Sequence, residues 1–484
     1  MFSSIKNQWF SNIRSDILAG IVVGLALIPE AIAFSIIAGV DPIVGLYASF
    51  CIAVVISFVG GRPAMVSAAT GAMALLMVTL VKEYGLQYLL AATILTGVIQ
   101  VIAGYLKLAN LMRFVSKSVV IGFVNALAIL ILLAQLPELT HVSWHVYILV
   151  IIGLFIIYLF PLIPRLGKII PSPLLCIVIV TLATVVLGIN VRTVGDMGDL
   201  PKMLPIFLIP EIPLNIQTLM IILPYSLALA AVGLLESMMT AKIIDDMTQT
   251  SSDKSRECKG QGVANIASGF MGGMAGCAMI GQSIINVKSG GLTRLSTLSA
   301  GVFLLILVIF LGEWLEVIPM AALVAVMIMV AVSTFEWNSL KTFKHNPTSS
   351  NIVMLMTVVV VVATHNLALG VFIGILLSTI FLAKKLENKV QVESELSGMH
   401  RCYYIKGQIF FNSSERLFKR FNFSENLESV ILDFTQAQVW DITSVETIDN
   451  VVNKFNQRGI TVKITGLSEQ SSQMLEKYGV CAKA

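Results

Sequence analysis

Charge is what this chain has least of. Asp, Glu, Lys and Arg make up 12% of its 484 residues, about half the share of a soluble globular domain. Such a chain cannot clothe a water-facing surface, and its mean hydropathy of +0.87 puts most of it in lipid. The net charge of +4 is too small to argue for a nucleic-acid partner. Histidine is scarce, five in all. His141, His145, His345 and His365 fall in loops or at span ends without ligand spacing. The six cysteines, Cys51, Cys176, Cys258, Cys277, Cys402 and Cys481, show no C-x-x-C pattern. They read as single reduced thiols, with neither a metal site nor a disulfide framework. No nucleophile, metal or nucleotide motif is present, so neither an enzyme nor a bound cofactor is expected. No cleavable signal is expected before the first apolar run. Phe2 to Asn12 reads as a short interfacial helix, and from Ile17 the chain stays in the membrane.

What is there is apolar, 56% of the residues. The apolar runs number about fourteen, enough for fourteen spans of a polytopic α-helical membrane protein. Their centres lie near residues 27, 50, 75, 96, 125, 154 and 179, then 228, 266, 283, 305, 324, 358 and 375. Seven spans per half is odd, so the two halves must be inverted relative to each other. Connections after even-numbered spans hold Arg62; Lys107, Arg113 and Lys117; Arg165 and Lys168; Lys242, Lys254, Arg256 and Lys259; Lys288 and Arg294; Lys341 and Lys344. Those after odd spans hold only Lys82, Arg192 and Lys202. The asymmetry places both termini in the cytoplasm of a cell-membrane protein. Arg192 to Leu214 is the longest outer connection. Its run Gly195-Asp196-Met197-Gly198-Asp199-Leu200-Pro201 reads as turns joining the halves.

Two stretches are too broken for spanning helices and too apolar for ordinary loops. Gly272 to Gly291 opens with Gly272, Gly273 and Gly276, which keep the backbone from settling into a helix. From about Ala278 it can form two to three turns, roughly 15 Å, about half a bilayer core. Gly60 to Ala74 likewise begins with glycines, runs extended and turns helix-competent near Thr70. Half-helices of this kind put free backbone N–H groups near mid-membrane, where they hold an anion without a buried cation. Paired interrupted segments in corresponding halves point to a transport site. Proline punctuates both halves as well. Leu27-Ile28-Pro29-Glu30 interrupts the first span near its middle, and Pro224 sits early in the eighth. Glu30 stands at a cavity wall or near the outer interface.

Glu236 and Thr240 form the sharpest polar pair. Their i, i+4 spacing puts a carboxylate and a hydroxyl on one helical face inside a span. An ionisable group there is a functional hypothesis by default. A carboxylate, a hydroxyl and free carbonyls suit a hard cation such as Na⁺, and a lone buried Glu can equally hold a proton. A protonated Glu bonded to a neighbouring helix is the structural alternative.

From about Val390 the composition turns polar, dividing a transmembrane domain, 1–389, from a cytoplasmic domain, 390–484. Arg401 to Ile405 and Ile409 to Phe411 read as a strand pair turning at Gly407. Ser413 to Phe421 reads as a helix, Val430 to Phe434 as a buried strand, Thr443 to Arg458 as a helix capped by Asp441, and Ile460 to Ile464 as a strand. Alternating strand and helix predicts a small α/β module with parallel pairing.

The parts resemble a bacterial SulP anion permease, related to the animal solute-carrier-26 transporters. Asp16-Ile17-Leu18-Ala19-Gly20 through Leu27-Ile28-Pro29-Glu30-Ala31-Ile32-Ala33 is similar to the family's first-span signature. Gly276 to Gly291 with Gly60 to Met73 resembles its two half-helices, and the C-terminal module resembles a STAS domain. The resemblance implies an inverted seven-plus-seven fold with a core and a gate domain. It implies an anion site between the third and tenth spans, alternating access and a homodimer. Carried over by motif, the small inorganic anion would meet Thr70, Gly71, Ala278, Met279 and Ile280. The coupling ion, Na⁺ or H⁺, would meet Glu236, Thr240 and Ala278. Sodium-coupled bicarbonate relatives have Asp where Glu236 stands, and many relatives have Arg where Gln282 stands. Thr443 occupies the position of the phosphorylated Ser of anti-sigma antagonists, where its hydroxyl is expected simply to start a helix. The expected function is secondary active transport of sulfate or bicarbonate. The alternatives are an uncoupled exchanger or channel-like path, or a nucleobase carrier of the same architecture.

Overall fold

The computed structural model describes residues 8–108, 115–163, 171–198, 200, 204–213, 215–387 and 390–479. The expectations for Phe2 to Asn7, Arg113, Arg165, Lys168, Asp199, Pro201, Lys202 and Cys481 fall outside these residues. The chain divides into two compact units, 1–375 and 376–484.

A helix lies over each of the predicted span centres. In order they are α1 Ile13–Ala38, α2 Pro42–Val59, α3 Gly71–Tyr84, α4 Leu86–Tyr105, α5 Lys117–Ala134, α6 Trp144–Leu159 and α7 Ser172–Val186. The second half gives α8 Ile216–Thr248, α9 Lys254–Phe270, α10 Ile280–Lys288, α11 Arg294–Phe310, α12 Met320–Thr334, α13 Thr348–Thr364 and α14 Leu367–Glu387. Eight of the described helices are long and apolar enough to cross a membrane. The half-helices α3 and α10, at 14 and 9 residues, are not. Short strands precede both: β1 Ser67–Ala69 and β2 Gly276–Ala278.

The packing repeats itself seven helices on. The pair α1 with α11 is matched by α8 with α4, α2 with α11 by α9 with α4, and α1 with α3 by α8 with α10. One group therefore joins α1 to α4 with α8 to α11, and a second joins α5 to α7 with α12 and α13. The first-span motif explains its own packing. A Cβ at Gly20 would lie 2.5 Å from the Ser296 carbonyl oxygen, so only glycine lets α1 meet α11 this closely. Asp16, fully buried, accepts from the Leu292 and Thr293 N–H groups and the Thr293 hydroxyl at 2.8, 3.1 and 2.7 Å. Pro29 and Pro224 interrupt neither helix, for α1 and α8 run continuously through them. Each ring removes one ladder donor, a local loss that a long, packed span tolerates.

The second unit holds a mixed sheet in the order β3-β4-β5-β6, with β3 Gln391–Ser397, β4 His400–Ile409, β5 Ser429–Val439 and β6 Thr461–Thr465. The pairs β4–β5 and β5–β6 are parallel, whereas β3–β4 is an antiparallel hairpin. The hairpin turns at Gly398, not at the predicted Gly407, which lies inside β4 beyond a register shift between Tyr404 and Lys406. The strand β3 escaped the sequence reading because all but one of its residues are exposed. Helices α15 Phe411–Phe418, α16 Ile442–Asn456 and α17 Glu469–Tyr478 complete the unit around Tyr403, Leu432, Phe434 and Phe455.

The predicted cap at Asp441 serves two helices. Its carboxylate accepts the Ser444 N–H of α16 at 2.9 Å and the Phe411 N–H of α15 at 2.5 Å. Asp441→Ala is expected to cost about 2 kcal/mol, a cap plus a second charge-assisted bond. Amide exchange over Ser444 to Ile448 in the full-length protein measures it, with faster exchange expected. Thr443, one residue into the helix, is exposed.

Candidate functional site

The two interrupted stretches meet. Strands β1 and β2 pair antiparallel, Ser67 opposite Ala278, Ala68 opposite Cys277 and Ala69 opposite Gly276. All of these residues are buried, and the pairing continues with the Met279 N–H donating to the Val66 carbonyl at 2.9 Å. Pairing of this kind satisfies backbone groups where lipid offers no partner. Each strand then runs into its half-helix. Thr70 is the N-cap of α3, its hydroxyl accepting from the Met73 N–H at 3.5 Å. Met279 is the N-cap of α10. The antiparallel register starts α3 at one end of this ladder, past Ala69, and α10 at the other, past Ala278, and the first-turn N–H groups of each lack intrahelical partners.

Of the residues expected to hold the anion, Thr70 and Gly71 follow one end of the ladder, Ala278 and Met279 lie at the other, opposite Ser67 and Val66, and all four are buried, with Ile280 half-buried after Met279. One role needs correcting. The backbone amide of Met279 is committed to Val66, so the free amides of this end begin at Ile280. Ala278 is likewise engaged: its N–H donates to the Ser237 hydroxyl at 3.1 Å, and its carbonyl accepts from Thr240 at 3.4 Å.

Glu236 reaches the same place from α8. Its Oε2 accepts from the Cys277 thiol at 2.9 Å, and the Cys277 sulfur lies 3.2 Å from the Thr70 hydroxyl. The Thr240 hydroxyl donates to the Glu236 carbonyl at 2.8 Å as well as to Ala278. The predicted pair is thus brought to β2, but the hydroxyl serves backbone oxygens. Behind β2, Asn265 clamps Gly276 by both backbone groups, at 2.8 and 3.1 Å, and takes 2.8 Å support from Gln100. The sequence reading missed Cys277, Asn265 and Gln100. For Gln100 a signal existed, an amide side chain in an otherwise apolar span, whereas Asn265 lies in α9 among several other polar residues that hid it.

Glu30 is buried and accepts from the Gln282 side-chain amide, in the first turn of α10. It is therefore a core group, not an interfacial one. A cavity of about 1000 Å³ lies alongside, lined by Ala33, Leu75, Leu76, Thr79, Leu130 and Tyr225 among others. On α3 its lining residue nearest in sequence to Thr70 is Leu75. The Phe34 ring and Ile131 close on Gly71, within 2.9 and 3.2 Å of where a Cβ would stand.

A model of the sulfate permease family matches residues 13–358, and a STAS domain model matches 391–483. The chain belongs to the sulfate permease family. This permease is 55% identical over 475 residues to YbaR of Bacillus subtilis, named a candidate sulfate transporter, covering 98% of each chain. It is 22% identical over 521 residues to the bicarbonate transporter BicA of Picosynechococcus, covering 97% of this chain and 91% of BicA. Murine Slc26a9, an anion transporter solved in an inward-facing state, shares the fold of the permease. The TM-score is 0.85 at 16% identity, over 98% of this chain and 89% of that one. The transmembrane domain of a cyanobacterial BicA matches with a TM-score of 0.65 over 76% of this chain and 98% of that one. The permease thus has a helical membrane core of this family followed by a STAS domain.

Proposed function

We propose that this permease is a secondary active carrier of a small inorganic anion, sulfate or bicarbonate, working by alternating access with H⁺ or Na⁺ as the coupling ion. It acts in the cell membrane as a homodimer with both termini cytoplasmic. The observation that carries the reading is the short ladder from whose two ends α3 and α10 start, with the Glu236 carboxylate one thiol away from Thr70. The amides of Gly71 and Ala72 on one side and of Ile280 and Gly281 on the other offer donors to a single anion. Each helix end contributes up to about 2 kcal/mol in a partly buried setting. Two ends give roughly 4 kcal/mol, the scale of millimolar affinity. That weakness suits a carrier, which must release what it binds.

Glu236 makes the site conditional. An ionised carboxylate this close repels an arriving anion, and a cation or proton on it removes that repulsion. Gln282 supplies no standing positive charge at α10, so the coupling ion carries this duty alone. The names of YbaR and BicA support sulfate and bicarbonate as the two substrates to test first. Thr70 and Cys277 offer too few groups to pair with base edges, which disfavours a nucleobase.

Counterflow of labelled sulfate and bicarbonate in proteoliposomes, with Na⁺ and pH varied separately, tests the proposal. Uptake of one anion against its gradient, driven by one of the two cations, is expected. Anion current or exchange indifferent to both cations would replace the reading with an uncoupled exchanger.

A further inference from the structure

Between the Glu236 carboxylate and the Thr70 hydroxyl stands one side-chain atom, the sulfur of Cys277. It lies 2.9 Å from the first and 3.2 Å from the second, and all three residues are buried. We propose that Cys277 is the positioning residue that couples ion binding at Glu236 to anion binding at Thr70. The inference rests on the carrier reading above and deepens it.

A thiol has one proton to give and a sulfur that accepts, so it can point only one way at a time. With Glu236 as a bare carboxylate, the S–H donates to Oε2, and the sulfur accepts the Thr70 O–H. The Thr70 proton is then spent on sulfur, facing away from the free amides of α3. A cation or proton on Glu236 withdraws that acceptor. The S–H turns to donate to Thr70 Oγ1, and the Thr70 O–H swings free to donate to an anion held by the half-helix ends. No bond to hydrogen is broken within the triad, since each of the two hydrogens stays on its own heavy atom and only its direction reverses. The anion thereby gains one donor only when the coupling ion is bound. A ligand moves an equilibrium by its differential interaction with the two states, and here the difference is one hydrogen bond.

Among the described residues, Cys277 is the one titratable side chain bonded to the Glu236 carboxylate. On α9, Cys258 packs against Met238 and Leu234 instead. The Glu257 carboxylate is held by the Gly61 and Arg62 N–H groups and by Gln261. Of the other charged groups, Lys82 and Glu83 of α3 and Lys288 of α10 stand in the last turns of their helices, Lys254, Arg256 and Lys259 in the first two turns of α9, and Lys242, Asp245 and Asp246 in the last two turns of α8 itself.

The coupling factor is the ratio of half-saturating anion concentrations without and with saturating coupling ion. It is measured on full-length protein in proteoliposomes, with sulfate and bicarbonate as anions and with Na⁺ or pH as the variable. In Cys277→Ala and the closer-sized Cys277→Val it is expected to fall at least about threefold, the worth of a modest hydrogen bond. Cys277→Ser, which keeps a proton and an acceptor in place, should hold it within about twofold of wild type. An unchanged factor in both apolar variants, or an equal loss in the serine variant, overturns the relay. A wild type with no coupling to either ion fails differently: it removes the carrier reading, and the relay with it.

Discussion

Glu236→Gln is expected to abolish cation-dependent anion uptake while leaving folding and insertion intact. The amide keeps the volume of the carboxyl and an oxygen to accept the Cys277 thiol, so the packing of α8 against β2 survives. It can bind neither a proton nor a sodium ion with any strength, so the site loses its conditional charge. Uptake driven by a Na⁺ or pH gradient should fall more than about tenfold, whereas anion exchange without a gradient should persist. The two are separated by measuring gradient-driven uptake and counterflow on the same proteoliposomes. Gradient-driven uptake equal to wild type would reject any coupling role for Glu236. Neutral exchange lost together with driven uptake would mean that the carboxylate also holds the anion site together.

The second large effect is expected at Gly276. A Cβ there would stand 2.1 Å from the Ala68 carbonyl oxygen and 2.7 Å from the Ile52 side chain. The first of these is backbone and cannot yield, so Gly276→Val must push β1 and β2 apart. The Asn265 clamp on Gly276 would be lost with the register. Overpacking of this kind costs about 1–3 kcal/mol even before paired backbone groups are stranded in the core. Anion binding should fall by roughly two orders of magnitude as the two free amide turns lose their common focus. Gly276→Ala, a smaller insult at the same atom, should give a partial loss at retained expression. Wild-type affinity in both variants, read by half-saturation in counterflow, would remove the paired helix ends from the binding site.

The half-helices were legible because glycine, apolar residues and a late cap candidate fall together in each stretch, and local chemistry alone forces such a segment to start extended. Thr70 could be read as a helix start for the same reason. The Met279 amide could not, because its acceptor, Val66, lies in the other half of the chain and only strand pairing brings the two together. Glu236 stood out as a lone acid in an apolar span, but Cys277 read as one thiol among six. Its meaning comes from what tertiary packing sets on either side. Glu30 was ambiguous because its position along the span was clear while its rotation about α1 was not, and Gln282 decides that rotation. In the C-terminal unit the alternately buried strand β5 and the partly buried β6 carried apolar signals. The edge strand β3 carried none, so the hairpin was placed one strand too late.

The stitch between Ala68 and Cys277 has a mechanical consequence. Four consecutive pairings, from Val66 with Met279 to Ala69 with Gly276, tie the roots of α3 and α10 where no water could replace a broken bond. Hinging the half-helices apart would strand those groups in a dry interior, at a price of several kcal/mol. The cheaper movement keeps both roots fixed to each other and slides the whole pair past α5 and α12, as a lift car passes its shaft. In that picture the guest would be carried, with Phe34 of α1 riding in the moving group and Ile131 of α5 standing at the landing.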